Sequence, residues 1–191
     1  MRRHGQNKNY FDTEKKLLSA LARVLKEKRS FNIKTREVSR EAKLAYSSFY
    51  IHHKSLSELV RVYEEAILSD VNLELKKALK TQNYSLEKSY QNILLALYRH
   101  RELLSVIINS RNIELPVKVI KTLKPLIVKD WRSYGRKTDE IIFYQLSAEI
   151  MTEIILWKTE RFAVDEISKH AHRLAILTNN APKQFAPLYY K

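Results

Sequence analysis

TREVSREAKLAYSSFYIHHKSLSEL, residues 35 to 59, contains two short helical patterns and the start of a third. Only three residues, 43 to 45, separate the first pattern from the second, which runs from about Tyr46 to His52. Within the second pattern Phe49 is suited to face a core. Two short helices joined by a corner of three or four residues, after an amphipathic helix, form a helix-turn-helix. The stretch predicts that unit.

The rest of the chain also has helical patterns. Only two glycines and four prolines are present, which are few turn residues for a sheet protein of this length. The apolar spacing predicts further helices at about 12–29, 55–80, 85–100, 102–109, 115–133, 138–159 and 165–178. We expect a flexible basic arm before the first helix, a tail from Asn179, and a break or kink at Pro125.

The predicted fold class is therefore all-α, with two domains. Residues 1–56 form a three-helix, helix-turn-helix DNA-binding domain with a basic N-terminal arm. Residues 57–191 form a second, larger helical domain.

Positive charge is concentrated in the first domain. The net charge is +14, and residues 1–54 have 14 lysines and arginines against 5 aspartates and glutamates. A compact basic region favours a polyanionic partner, nucleic acid first and an anionic membrane second. The alternative is a basic surface that serves only solubility.

Signals for catalysis and for cofactors are poor. The chain has no cysteine, which excludes disulfides, thiolate metal sites and cysteine nucleophiles. The pairs His52–His53 and His170–His172 are one and two residues apart, so neither pair shares a helix face for metal binding. Two isolated glycines cannot form a phosphate-binding loop. We expect no enzyme, no metal and no cofactor.

Targeting signals are also absent from the sequence. The basic N-terminus is not followed by the apolar run of a signal peptide, and no stretch approaches eighteen uninterrupted apolar residues. The expectation is a cytoplasmic protein with no membrane partner.

The quoted stretch resembles the DNA-binding segment of TetR/AcrR-type transcriptional regulators. The resemblance covers residues 12 to about 60 and lies in the order of a Thr-led helix, a tight turn, a Tyr-containing recognition helix and a long linking helix. The matching residues are Thr35, Val38, Ala42, Ser48, Phe49, Tyr50, His52, Lys54, Glu58 and Leu59. Beyond residue 60 only the size and the helical pattern are similar.

The resemblance implies a set of DNA contacts in the two short helices and just after them. Tyr50 and Lys54 would anchor phosphates, whereas Arg36 and Tyr46 would read bases. The implied contacts are Thr35, Arg36, Tyr46, Ser47, Ser48, Tyr50, His52 and Lys54. The sequence departs from the family pattern at Lys43, Ala45, His53 and Leu56, where the family usually has a turn glycine, a capping hydroxyl, a core phenylalanine and a phosphate-binding lysine.

Two apolar stripes near the C-terminus predict a dimer interface, because the family pairs its last helices across a twofold axis. The same stripes would also suit the core of a single chain. The candidate interface residues are Ile142, Leu146, Ile150, Ile154, Trp157, Ile167, Ala171 and Leu174.

Aromatic and aliphatic residues in the larger domain are candidates for an effector pocket, although such residues are more often plain core. The candidates are Tyr90, Leu94, Tyr98, Val106, Ile120, Trp131, Tyr134 and Phe143. The effector would be a small molecule or a protein, and the sequence names neither.

The expected function is that of a DNA-binding transcription regulator, by family usage a repressor. A homodimer would bind a pseudo-palindromic double-stranded operator and be released by an effector. The alternative is a helical regulator that binds DNA weakly and acts through a protein partner, which the four departures from the family pattern favour.

Overall fold

The computed structural model describes residues 3–30, 32–81, 85–109, 114–133 and 140–189, and every regular element in them is an α-helix. The expected all-α class is confirmed. The helices are α1 (Arg3–Lys28), α2 (Thr35–Glu41), α3 (Tyr46–His52), α4 (Leu56–Lys80), α5 (Leu86–Tyr98), α6 (Arg101–Asn109), α7 (Glu114–Ser133), α8 (Glu140–Thr159) and α9 (Ile167–Tyr189).

The first helix is longer than predicted. It begins at Arg3, so most of the expected flexible arm is helical. The polar residues before position 12 have no apolar stripe from which a helix could be recognised. Tyr10 and Glu14 contact the end of α3, and this tertiary contact supports the extra turns of helix.

Pro125 does not break α7, and α9 contradicts the expected tail from Asn179. Helix α7 continues through Pro125, and α9 continues to Tyr189, past the residue where a tail was expected. A proline inside a helix costs about 3 kcal/mol or more. Burial of the neighbouring residues opposes that cost, since Leu126 and Ile127 after Pro125 are fully buried, as are Thr178 and Ala181 in α9.

The chain divides into two compact units. Unit 1 comprises Met1–Ala66 and Glu102–Asn112, and unit 2 comprises Ile67–Arg101 and Ile113–Lys191. The division falls within α4, ten residues beyond the predicted domain boundary at residue 56, and it groups the residues of α6 after Arg101 with the N-terminal helices.

The core of unit 1 fixes the orientation of α3. Phe49 is the only residue of α3 that is buried, and it is fully buried, as are Leu21 of α1, Val38 of α2 and Leu59 of α4. With Phe49 held inward, the side chains at the neighbouring helical positions must point away from the core.

A left-handed residue makes the corner between α2 and α3. Lys43 has φ 56°, and its N–H donates to the carbonyl of Arg40 over 3.0 Å. The N–H of Leu44 donates to the carbonyl of Ser39, also over 3.0 Å. These two bonds form a Schellman motif, in which glycine is the usual left-handed residue. Lysine stands there at a conformational cost.

Replacing Lys43 with glycine should therefore stabilise the chain. A left-handed residue other than glycine costs roughly 1–2 kcal/mol, and the extra freedom of glycine in the unfolded chain offsets roughly 0.5–1 kcal/mol of the gain. We expect Lys43→Gly to raise the free energy of unfolding by about 0.5–1 kcal/mol, measured by urea denaturation. Lys43→Ala removes the same charge and keeps the strain, so it should show no such gain. Equal effects of the two variants would contradict the argument.

Unit 2 is organised around α9, which packs against α5 and α8, while α7 packs against α8 and α9. A buried polar contact joins three of these helices. The hydroxyls of Tyr90 in α5 and Thr178 in α9 are 2.7 Å apart, and the indole N–H of Trp131 in α7 donates to the Thr178 carbonyl over 2.9 Å. Burial raises the pKa of Tyr90, so its hydroxyl stays protonated.

Candidate nucleic-acid interface

One side of α3, together with Lys54 shortly after the helix, forms an exposed surface. Tyr46 is 44% exposed, Tyr50 is 47% exposed and Ile51 is 74% exposed, and Ser47 and Lys54 are exposed beside them. We call these five residues the α3 outer face. Because Phe49 is fully buried on the opposite side, the helix presents this face to any partner of unit 1.

Two tyrosines and an arginine are held together at one edge of the α3 outer face. The hydroxyls of Tyr46 and Tyr50 are 2.7 Å apart, and their rings meet edge to face with centroids 5.1 Å apart. The guanidinium carbon of Arg36, in α2, lies 5.3 Å from the centroid of the Tyr46 ring. The hydrogen bond with Tyr50 raises the pKa of Tyr46, so the Tyr46 hydroxyl stays protonated at neutral pH. This cluster can donate hydrogen bonds to phosphates or to base edges.

The charges near α2 fall into paired and unpaired groups. Arg23 pairs with Glu41, and Lys28 pairs with Glu37. The hydrogen bond from Lys28, with a second from the Lys34 N–H, lowers the pKa of Glu37 and keeps this carboxylate charged.

Other cations of the same region are exposed without such pairing. Within the residues that the structure describes, Arg40, Lys43 and Lys54 form no ion pair with a carboxylate. Their charge is available to an anionic partner.

His52 faces α1 and not solvent. Its ring stacks on Tyr10 at 4.2 Å between centroids, and its Nδ1 lies 3.2 Å from Oε2 of Glu14. The other carboxylate oxygen of Glu14 lies 3.1 Å from Nε2 of His53, which is buried, but the contact does not have the direction of a hydrogen bond. Glu14 thus joins α1 to the last turn of α3.

The implied DNA contacts therefore separate into three groups. Arg36, Tyr46, Ser47, Tyr50 and Lys54 are exposed, as DNA contacts need to be. The residues Thr35 and Ser48 are half-buried. The His52 side chain is only 6% exposed and is occupied by Tyr10 and Glu14, so this residue is removed from the set of DNA contacts.

The pocket candidates that the structure describes are divided between the two units. Five of them are buried residues of unit 2, namely Tyr90, Leu94, Ile120, Trp131 and Phe143. Tyr98 is half-buried, Val106 belongs to α6 in unit 1, and Tyr134 lies outside the described residues. Tyr90 and Trp131 are bonded to Thr178 and so serve the core of unit 2.

A groove between α7 and α8 does contain two of the candidates. Its volume is about 250 Å³, and Ile120 and Phe143 lie in its wall. Lys124 places its ammonium group 5.1 Å from the centroid of the Phe143 ring. The remaining lining residues are Val117, Lys121, Tyr144, Ser147, Ala148 and Met151.

The eight candidate interface residues are buried within a single chain. None of Ile142, Leu146, Ile150, Ile154, Trp157, Ile167, Ala171 and Leu174 is more than 6% exposed. They form the contact between α8 and its own neighbours, so the prediction that they meet a second protomer is corrected. The periodicity found an apolar side of α8, and that side faces inward.

Helix α8 has a second apolar side, which is exposed. Ile141, Tyr144, Ala148, Met151 and Ile155 follow at spacings of three and four residues, and we call them the outer α8 stripe. Tyr144 is 61% exposed, Ile141, Ala148 and Ile155 are also exposed, and Met151 is half-buried. Three of the five also line the groove beside α7.

No family model, curated protein or solved structure matches this chain. The arrangement of the α3 outer face therefore rests on the chain's own geometry.

Among the described residues, no cluster of His, Asp or Glu has the arrangement to hold a metal ion. No helix in the described ranges has both the length and the apolar character to cross a membrane.

Sequence reasoning missed several residues of the interface region. Ile51 is apolar, and a pattern of polar and cationic DNA contacts does not include it. The contact of Tyr10 and Glu14 with His52 joins residues about forty positions apart in the sequence, as the separation of 38 between Glu14 and His52 shows. No local pattern could have revealed this contact.

Proposed function

We propose that this protein is a DNA-binding transcription regulator of the TetR/AcrR type, and that the α3 outer face enters the major groove of an operator. The observation that carries the proposal is the fixed, exposed cluster of Arg36, Tyr46 and Tyr50 beside a corner with Schellman geometry. In a helix-turn-helix the second helix enters the major groove and the first crosses the backbone, which gives α3 and α2 these roles.

The charge of unit 1 supports the proposal. Arg40, Lys43 and Lys54 are exposed cations near the α3 outer face, and residues 1–54 have a net charge of +9. Each cation that neutralises a phosphate releases a counterion, so the affinity for DNA depends steeply on salt.

A homodimer is part of the proposal, with the outer α8 stripe as the contact between protomers. Five residues spaced by three and four place an apolar band along one side of a 20-residue helix. Exposed apolar bands of this kind are typical of interaction surfaces. A twofold pair would present two α3 helices to the two halves of a pseudo-palindromic operator.

Regulation would follow from an effector. In this proposal the protein is a repressor, and an effector that binds unit 2 changes the separation of the two α3 helices in the dimer. The two half-sites can then no longer be contacted together, and operator affinity falls.

The proposal is tested by titrating the purified protein with the DNA upstream of its own gene at several salt concentrations. Phosphate contacts from Arg40, Lys43 and Lys54 would number about six in a dimer, which corresponds to a slope of about −5 in log affinity against log salt. Binding to a scrambled duplex of the same composition should be about a thousandfold weaker. Sedimentation of the free protein should give twice the mass of one chain.

Two results would count against the proposal. Equal affinity for the upstream and scrambled duplexes would remove sequence-specific reading. Capture of a stoichiometric protein partner, together with only nonspecific DNA binding, would favour the alternative of a regulator that acts through that partner.

A further inference from the structure

Ile51 is the most exposed large apolar residue in the part of the chain that the structure describes, at 74%. It lies in the last turn of α3, next to Tyr50 and one helical turn after Ser47. The rest of the α3 outer face has hydroxyl and ammonium groups, so Ile51 is its one purely apolar member.

The surrounding contacts hold Ile51 in this position. Phe49 is fully buried and His53 is 3% exposed, and these two residues anchor α3 on either side of Ile51 in the sequence. The edge of the helix that carries His52 is fixed to Glu14 and Tyr10 of α1. A β-branched side chain in a helix has one strongly preferred χ1 rotamer, so the Cγ2 methyl group of Ile51 has a nearly fixed place.

An exposed, fixed aliphatic group on a recognition helix has one natural counterpart in DNA. Of the four bases, only thymine presents an apolar group in the major groove, its C5 methyl. Guanine, cytosine and adenine present hydrogen-bonding groups there, which an isoleucine cannot satisfy.

We propose that Ile51 selects a thymine in each half-site by packing against its C5 methyl group. The inference rests on the proposed function and deepens it by naming a base and an atom that the protein reads. Ile51 is thus a specificity-determining residue, in addition to the polar residues of the same face.

The experiment removes the methyl group without changing any hydrogen bond. A duplex is first selected by the wild-type protein from a pool of random sequences, and each of its thymines is then replaced, one symmetric pair at a time, by deoxyuridine. Removing one methyl-sized contact should weaken wild-type binding about fourfold per half-site, the factor that corresponds to about 0.8 kcal/mol. This loss should occur at one thymine position only.

Ile51→Ala should bind the thymine and deoxyuridine duplexes equally, and Ile51→Val should retain part of the discrimination. Leu73→Ala is the matched control, because Leu73 is another exposed aliphatic residue, at 52%, on α4 in unit 2. It should discriminate as the wild type does. Since Ile51 is exposed, its truncation should leave thermal unfolding unchanged.

The outcomes separate the two proposals. Failure of the selection to enrich any duplex would overturn the proposed function, and the role of Ile51 with it. An enriched duplex whose binding is insensitive to every deoxyuridine replacement would overturn the role of Ile51 alone. So would an Ile51→Ala protein that keeps the wild-type ratio.

Discussion

Replacing His170 with alanine should lower the free energy of unfolding of unit 2 by about 3–5 kcal/mol, as expected when one partner of a buried ion pair is removed. His170, in α9, is fully buried. Its Nδ1 lies 2.6 Å from Oε1 of Glu153, and its Nε2 lies 2.7 Å from Oε2 of Glu160. Alanine would leave the Glu153 carboxylate, which is 6% exposed, with the guanidinium of Arg173 at 3.4 Å as its remaining cation.

Each of the two contacts calls for an N–H donor on the imidazole ring. A carboxylate can only accept hydrogen bonds, and a neutral imidazole has only one N–H to donate. A carboxylate oxygen lies at each ring nitrogen of His170, so the ring can donate to both carboxylates only when both nitrogens carry an N–H. Lys169 and His170, in that order of effect, lower the pKa of Glu160, so this carboxylate stabilises the fold above pH 4.5 and its contribution is lost on further acidification.

Urea denaturation followed by tryptophan fluorescence measures the effect selectively. The chain has two tryptophans, Trp131 and Trp157, and both are fully buried in unit 2. His172→Ala is the matched control on the same helix. The His172 side chain is 61% exposed and pairs with Glu87 at 2.9 Å, and a surface pair of this kind contributes less than about 1 kcal/mol.

A double variant separates two effects of His170→Ala, the loss of a partner for the Glu153 carboxylate and the loss of side-chain volume. Glu153→Leu combined with His170→Leu removes both charges and fills the space with apolar groups, and such replacements are often close to neutral. We expect the double variant to be more stable than His170→Ala. A His170→Ala protein as stable as His172→Ala would show that His170 is not part of a buried ion pair.

Replacing Arg36 with alanine should weaken operator binding by about tenfold to a hundredfold, the range for the loss of one bidentate contact between arginine and guanine. The guanidinium is placed over the Tyr46 ring, 5.3 Å from its centroid. A stacked guanidinium keeps its N–H groups in the plane of the fork, where they can meet the O6 and N7 acceptors of guanine. The loss should be accompanied by relaxed selectivity at one base pair of each half-site, measured by competition with single-substituted duplexes.

Arg40→Ala is the control for charge. Arg40 is a second exposed arginine of α2, so its removal should weaken binding to all sequences alike and reduce the salt dependence. Arg36→Lys keeps the charge of Arg36 and removes the fork, and should therefore lose selectivity while retaining most of the salt dependence. If Arg36→Ala and Arg40→Ala weakened specific and random duplexes to the same extent, Arg36 would be a phosphate contact and not a base reader.

The sequence predicted the helices around α3 well, for identifiable reasons. Helix α3 spans Tyr46–His52 as predicted, because a tight corner and a capping segment bound it on either side. Ser55 accepts a hydrogen bond from the Glu58 N–H, and the Glu58 carboxylate accepts from the N–H of Lys54. In a standard capping box the Glu58 carboxylate would accept from the N–H of Ser55, one residue later. Local hydrogen bonds of this kind leave a sequence pattern that can be recognised.

The sequence could not reveal which apolar residues pack against one another in the core and which stay exposed. Helix α8 has apolar residues on two sides, and periodicity alone does not say which side faces the core. The stripe chosen for the dimer, which includes Leu146 and Trp157, is fully buried, and the one containing Tyr144 is exposed. Likewise the sequence suggests Tyr90 as a ligand contact, whereas in the structure its hydroxyl is bonded to Thr178, 88 residues away.

Local helix patterns also failed to predict the length of helices whose ends are stabilised by packing against distant residues. The turns of α1 before residue 12 have no apolar stripe of their own. Their contact with the end of α3 is the stacking of Tyr10 on His52, and Glu14 of the next turn lies between His52 and His53. Helix α9 continues past Asn179 because Thr178 and Ala181 are buried against neighbouring helices. In both cases tertiary contacts override the local pattern.

The two-sided character of α8 has a genetic consequence if the outer stripe joins protomers. A chain with a damaged α3 and an intact α8 would still pair with normal chains. Because one intact recognition helix contacts only half of a palindrome, such mixed dimers would bind the operator poorly. Mutations that damage α3 would therefore be dominant over the normal gene, whereas mutations that introduce charge at Tyr144 or Ile155 would be recessive.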